Sequence, residues 1–311
     1  MDFPIIDDPL DCLVVGAGPA GLTAAIYLAR FHLRTQVLDA GFSRAALIPK
    51  TRNHAGYPGG IAGSQLLSLM REQAAEFGIA VQSAHVERIF RHDGSFRAFA
   101  GGFEWTARTI LLATGVVNHR PPMRPEDHDR ALARGLLRYC PICDGFEVTD
   151  KRIGVVGTGQ RGRNEAIFLR MYSQDVTLIA PNGAHDLEDE HRAELARLGV
   201  VLVDGPCQPL ELRNTAICAK TPAGEHRFDT IYPALGSSIG SGLAVAIGAE
   251  TTDDGCLVID SHQRTTVAGI YAAGDVTKGL DQISHAMGEA GVAATTIRND
   301  LAHAAPLLRG A

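Results

Sequence analysis

An apolar strand, a glycine-rich turn, a helix and a second strand ending in an acid follow one another over residues 11–41, and few folds accommodate that order. Asp11–Val15 reads as the first strand, Gly16-Ala17-Gly18-Pro19-Ala20-Gly21 as the turn, about Leu22–Arg30 as the helix, and Thr35–Leu38 as the second strand, ending at Asp39. Gly16 permits the tight turn, Gly18 lets backbone approach a diphosphate, and Gly21 lets helix and strand pack closely. The helix N-terminus, with Pro19 and Ala20 at its mouth, then directs unpaired N–H groups at the anion. Asp39 is placed to hold ribose hydroxyls. A lone GxGxxG is weak evidence, but this ordered set specifies a dinucleotide-binding βαβ unit.

A second unit of the same kind follows. Arg152–Val156 reads as a strand, Gly157-Thr158-Gly159-Gln160-Arg161-Gly162 as its turn, a helix runs to about Met171, and Val176–Ile179 forms the next strand. A chain of 311 residues has room for two domains. With 34 glycines and few aromatic residues, it favours an α/β nucleotide-binding architecture over an all-β one. The C-terminal part adds a buried strand running into Ala272-Ala273-Gly274-Asp275, where Gly274 permits close approach and Asp275 can accept from a sugar-like hydroxyl. An alanine-rich helix from about Gln282 to Leu301, opened by Gln282 and Ser284 with Ile283 between them, has an N-terminal dipole suited to negative charge on a reduced isoalloxazine. Leu111-Leu112 followed by Ala113-Thr114-Gly115 is a further strand-to-glycine junction.

Between the two turns lies Cys140-Pro141-Ile142-Cys143-Asp144-Gly145. Cysteines at this spacing can close a small disulfide ring, and a neighbouring thiol and a local helix dipole lower the pKa of one of them. Such a dithiol exchanges two electrons readily. Zinc would need a second pair of ligands, and Cys12, Cys207, Cys218 and Cys256 are isolated. A redox pair is the favoured reading, inert thiols and a metal site its alternatives, and no metal is expected.

The net charge of −6 and the lack of a basic tract argue against nucleic-acid binding. No apolar run approaches the length of a membrane span. The opening residues MDFPIIDDPLD are acidic and carry no signal-peptide pattern. A soluble, cytoplasmic protein is expected, which suits a CxxC that cycles rather than staples.

With these residues in view, the chain resembles the low-molecular-weight thioredoxin reductases, a branch of the FAD-dependent pyridine nucleotide-disulfide oxidoreductases. The resemblance runs through GAGPAG at 16–21, Asn53-His54-Ala55-Gly56-Tyr57-Pro58-Gly59, ATG at 113–115, CxxCDG at 140–145, the second GxG at 157–159 and AAGD at 272–275. It implies an FAD domain from residues 1–118 and 236–311, with a CxxC-bearing, NAD(P)H-binding-like domain of about 119–235 inserted between its halves. It also implies that Asn53 lies near the flavin ring and that Gly274 and Asp275 meet the ribityl chain and phosphates. Cys143 would face the flavin, Cys140 would exchange with an external disulfide, and Asp144 would help move protons. A thioredoxin-like protein or a small-molecule disulfide or dithiol is the implied partner, and a homodimer the implied assembly.

The second turn departs from the family. Glu165 matches the family's acid, but a His-Arg-Arg cluster that grips the NADPH 2′-phosphate is replaced by Ala180-Pro181-Asn182-Gly183. An uncharged turn offers no charge-assisted, bidentate contact to a phosphate. Three readings stay open: Arg161 or Arg163 reaches the phosphate, the site takes NADH through Asn182, or the domain only scaffolds the CxxC. Asp281 also stands where the family has a cation. The rival functions are therefore a nicotinamide-independent dithiol oxidase passing electrons to oxygen, a ferredoxin- or flavin-linked disulfide reductase, and a non-catalytic flavin-binding redox sensor. His285, beside Ser284, and His54 are secondary acid–base candidates. The isolated cysteines and Trp105 are explained by packing, and 120–125 reads as a proline-stiffened linker.

Overall fold

The structure, a computed structural model, describes residues 9–308. The acidic opening stretch singled out above falls mostly outside them. The described residues form two compact units, one comprising the chain up to Leu47, Ile61–Val117 and Ile239 onward, the other Ile48–Gly60 and Asn118–Ser238.

The first unit opens with β1 (Leu10–Val15), α1 (Pro19–Arg30) and β2 (Thr35–Asp39), and continues with α2 (Gly63–Glu76), β3 (Val81–Ser83), β4 (Val86–His92), β5 (Ser95–Ala100) and β6 (Phe103–Leu112). α1 begins at Pro19 rather than at Leu22, because Gly18 is the extended N-cap and proline, with its fixed φ and missing N–H, fits the first helical turn. β5 and β6 form a hairpin over Gly101-Gly102, and Trp105 is buried within it.

The second unit contains α3 (Pro125–Ala133), α4 (Pro141–Asp144), β7 (Ile153–Val156), α5 (Gly159–Leu169), β8 (Val176–Ile179), α6 (Asp189–Arg197) and β9 (Val200–Val203). These are followed by β10 (Glu211–Arg213), β11 (Ala216–Thr221), β12 (Gly224–Phe228) and β13 (Thr230–Pro233). The four-stranded parallel sheet has the order β9-β8-β7-β13, and β10-β11-β12 form a separate antiparallel sheet. The expected linker at 120–125 runs straight into α3, whose first residue is Pro125 and whose Arg124 cap donates Nε to Asp127 at 2.7 Å. The expected first domain ran unbroken over 1–118, whereas Ile48–Gly60 groups with the second unit: Arg52 pairs with Glu147 at 3.3 Å and Asn53 Nδ2 donates to the Ile142 carbonyl at 3.4 Å.

The chain closes the first unit with α7 (Gly242–Val245), a single turn, then β14 (Ile270–Ala272) and α8 (Ile283–Ala304). The seven-stranded sheet has the order β3-β2-β1-β6-β5-β4, with β14 also paired to β6. Its register positions the site: Leu38 pairs with Val15, Val15 with Leu112, and Leu112 with Ala272. Four parallel strands therefore end level, and three glycine-bearing segments (16–21, 113–115 and 273–275) leave the same carboxyl edge. That edge is where open α/β sheets receive ligands. α8 packs along α1 and covers the sheet. Two nested Rossmann-like α/β units are thus the observed fold, as expected. Among the described residues no helix is long and apolar enough to cross a membrane.

Candidate active site

Cys140 and Cys143 form a disulfide, with Cα atoms 5.3 Å apart. Local sequence dictates this. Cys140 is the extended N-cap of α4, Pro141 starts the turn, and the Cys143 N–H donates to both Cys140 O (3.0 Å) and Cys140 Sγ (3.2 Å). Gly145 ends the turn where a Cβ would lie 2.4 Å from the Tyr172 ring and 2.6 Å from the Pro141 carbonyl, so no other residue fits there unchanged.

Asp144 is held from both sides. Arg138 Nη1 donates to Oδ2 at 2.8 Å and the Tyr232 hydroxyl donates to Oδ1 at 2.8 Å. Burial pushes its carboxyl above the usual carboxylate range, with Arg138 and Tyr232 opposing that and Glu147 adding to it. Glu165, on α5, is pushed up to about 7, chiefly by burial; Arg161 opposes the shift and Asp144 reinforces it. The disulfide is therefore followed in sequence by a carboxyl whose proton affinity is raised, and that carboxyl interacts with a second one, Glu165, raised in the same direction. Arg138 and Tyr232 were not anticipated, and Tyr232 carries no local signal because it is 88 residues from its partner.

In the first unit, Ala17 N–H donates to Asp39 Oδ1 at 3.0 Å, and Arg71 reaches Oδ2 at 3.3 Å. Asp39 is thereby fixed across the mouth of the turn. Gly16 has φ +104°, and a Cβ on it would lie 2.3 Å from the Ala113 carbonyl, which locks the turn to the segment after β6. Gly18 differs: its backbone is extended, and a Cβ there would meet only Ser43 Oγ, at 3.3 Å. No side chain caps α1. An open glycine, uncapped helix N–H groups and a fixed acid are the cradle that a diphosphate–ribose requires. The residues present thus fit FAD.

Thr114 Oγ1 donates to Gly240 O at 2.6 Å, while Gly274 N–H donates to the buried Glu289 Oε2 at 2.7 Å. Asp275 is raised by burial and by Asp281, with Arg44 opposing. Arg44 pairs with Asp275 at 3.0 Å and with Asp281 at 2.7 Å. Gln282 caps α8 and Ile283 is its first residue. His285 Nε2 lies 3.1 Å from Glu289 Oε1, one turn further along the helix. Asn53, by contrast, lies on a segment of the second unit, and His54 stacks on Tyr57 at 5.6 Å. Cys12 is buried, its thiol pushed up to about 12.

The second glycine turn is built differently. Thr158 Oγ1 accepts the Asp186 N–H at 2.7 Å, which brings the chain after β8 back over the turn. A Cβ on Gly159 would lie 3.9 Å from Asp186 Oδ2. His185 is buried behind it, with Nε2 3.1 Å from the Leu178 carbonyl, and burial holds its pKa below the usual range. Arg163 is engaged by Glu194 on α6 through Nε at 2.7 Å and also through Nη2. Arg161 lies against Gly236, where a Cβ would be 3.1 Å from its Nη1.

The pyridine nucleotide-disulphide oxidoreductase family model matches residues 10–290, and the chain belongs to this family. It is an FAD-dependent disulfide oxidoreductase of the thioredoxin reductase-like branch. The thioredoxin reductase of Treponema pallidum (strain Nichols) is 32% identical over 300 residues, covering 91% of this chain and 94% of that protein. The crystal structure of thioredoxin reductase from Streptococcus pyogenes MGAS5005 superposes with a TM-score of 0.86 at 25% identity, covering 94% of this chain and 98% of that one. A bifunctional thioredoxin reductase/thioredoxin of Mycobacterium leprae (strain TN) is 31% identical over 286 residues, covering 86% of this chain and 60% of that protein.

Proposed function

We propose that Cys140 exchanges with an external disulfide or dithiol, that Cys143 exchanges electrons with FAD held by the first unit, and that Asp144 moves the accompanying proton. The observation that carries this reading is the Cys140–Cys143 disulfide next to a partly buried carboxyl held by two donors. In the oxidative direction a substrate dithiol attacks the disulfide; one substrate S–S bond forms, the Cys140–Cys143 bond breaks, and the substrate's two protons pass to the Cys140 and Cys143 thiols. Reclosure of that bond releases two electrons and two protons, for which FAD, held by the first unit, would supply a two-electron acceptor; the reductive direction runs the same steps in reverse.

The FAD contacts in this reading are Gly16, Gly18, Pro19, Ala20, Gly21, Asp39, Ala113, Thr114, Gly115, Gly274, Asp275, Gln282 and Ile283, with Asn53 supplied by the 48–60 segment. A thioredoxin-like protein is the proposed partner, supported by the name of the Mycobacterium leprae relative, which joins both activities. A small-molecule dithiol is the alternative substrate. A cytoplasmic homodimer follows from the resemblance alone. In the test, Cys140→Ser and Cys143→Ser proteins are assayed for exchange with a dithiol while bound FAD is quantified. Loss of exchange with FAD retained is expected in both, and full exchange in either refutes the relay.

One observation favours a nicotinamide-independent route: the Asp186 carboxylate stands at Gly159, where a second diphosphate would lie, and the chain offers no basic cluster at 180–183. Like charge at an anion site opposes binding by electrostatic repulsion.

A further inference from the structure

We infer that Tyr232 is a positioning residue for the proton-handling carboxyl of the dithiol site, aligning Asp144 together with Arg138; this rests on the role proposed for Asp144. Tyr232 lies on β13 with its ring wholly buried. A phenylalanine would fill the same space, so packing explains the ring and leaves the hydroxyl unexplained. A buried tyrosine hydroxyl needs a partner, and here the partner is Asp144 Oδ1 at 2.8 Å, with the Asp144 carbonyl at 3.5 Å.

The second donor is tied to the same strand. Arg138 N–H donates to the Ile231 carbonyl at 3.0 Å, and Leu137 is bridged to Ile231, so the residues before Cys140 run beside β13. Arg138 Nε is braced on the Gly135 carbonyl at 3.1 Å, and its guanidinium covers Gly135, where a Cβ would be 2.6 Å away. Both donors that grip Asp144 thus come from adjacent, hydrogen-bonded backbone. Each carboxyl oxygen accepts one fixed hydrogen bond, which orients its remaining lone pairs. The groups facing Asp144 are Arg138 from the preceding loop, Tyr232 from β13, Glu147 from the turn after α4, and Glu165 from α5, itself faced by Arg161.

Both donors favour the ionised carboxylate against burial. Removing either raises the pKa of Asp144, and the sign of the kinetic effect does not depend on direction. If Asp144 accepts a proton, its ionised form is lost at higher pH than before, and the rate falls earlier on acidification. If it donates, its neutral form persists to higher pH, and the rate falls later on alkalinisation. Either way the limb governed by Asp144 moves up.

The test uses the FAD-loaded full chain, mixed anaerobically with dithiothreitol, with flavin bleaching followed as a function of pH in wild type, Tyr232→Phe, Arg138→Gln and Asp144→Asn. Tyr232→Phe keeps the ring, and its limb is expected about one pH unit higher. Arg138→Gln, at a partly exposed position, is expected to move it further in the same direction because a charge is lost as well; it carries the test should the Phe variant misfold. A limb unmoved or lowered in folded Tyr232→Phe and Arg138→Gln, while Asp144→Asn removes it, overturns the inference and spares the Asp144 reading. A limb that survives Asp144→Asn overturns that reading instead.

Discussion

The two glycine-rich turns share a backbone plan and differ in what surrounds it. At the first, the β1–α1 turn, Asp39 reaches back to Ala17 N–H from the end of β2, Gly18 faces only the Ser43 hydroxyl, and the helix mouth is uncapped. At the second, the β7–α5 turn, β8 runs into buried Ala180, and the returning chain ties Asp186 to Thr158 and sets a carboxylate at Gly159. Glycine spacing preserves the strand–turn–helix geometry because Gly157 and Gly162 are required for packing: a Cβ on Gly157 would lie 2.8 Å from the Ala234 side chain, and one on Gly162 would lie 2.8 Å from Gly157. The motif therefore reports fold at both turns, while the flanking charges decide whether an anion is received.

Substitutions at the two turns sharpen this contrast. Gly18→Val is expected to fold, since the backbone there is extended and its one close neighbour, the Ser43 hydroxyl, is a side-chain end that can shift, yet to lose FAD by blocking diphosphate approach; the flavin-to-protein ratio of the purified variant checks it, and undiminished flavin breaks the assignment. Asp144→Asn should slow dithiol-driven flavin reduction by about 10²–10⁴-fold, the range of general acid–base catalysis, in single-turnover measurements. Asp186→Asn should speed NADH-driven reduction about tenfold by relieving charge repulsion at the second turn, and an unchanged rate would mean that other features close that site.

The smallest effect concerns Glu165. Its folded pKa, about 7 against an ordinary 4.5, means that the folded state binds more protons between those values. Its contribution is fully present below the lower value and is lost as pH rises through the upper one, a loss of at most about 3 kcal/mol. Glu165→Gln should therefore melt progressively higher than wild type as pH increases across that window, and parallel melting curves would remove the raised pKa from the account.

What the sequence made legible was local. The glycine turns, the CxxC and the strand at Val176–Ile179 follow from spacing and apolar runs, and the structure places them accordingly. What it hid was distant. Arg44 meets Asp275 and Asp281 across separations of 231 and 237 residues, so Asp281 has a cationic partner that its neighbours in sequence do not reveal. Tyr232 reads as one more apolar residue of a buried strand until its hydroxyl is seen on Asp144. Arg163 looked available beside the second turn, but helical periodicity turns it toward Glu194. Charges on a short motif can be read locally; their partners are chosen by the fold.

The most direct test of the central claim is anaerobic mixing of the FAD-loaded protein with dithiothreitol, and separately with NADPH and NADH, while the flavin's visible absorption is followed in wild type and Cys140→Ser. The account predicts bleaching by the dithiol in wild type, none in Cys140→Ser, and little with either nicotinamide. Equal bleaching by dithiothreitol in both proteins would show that electrons reach the flavin without Cys140 and would contradict the relay.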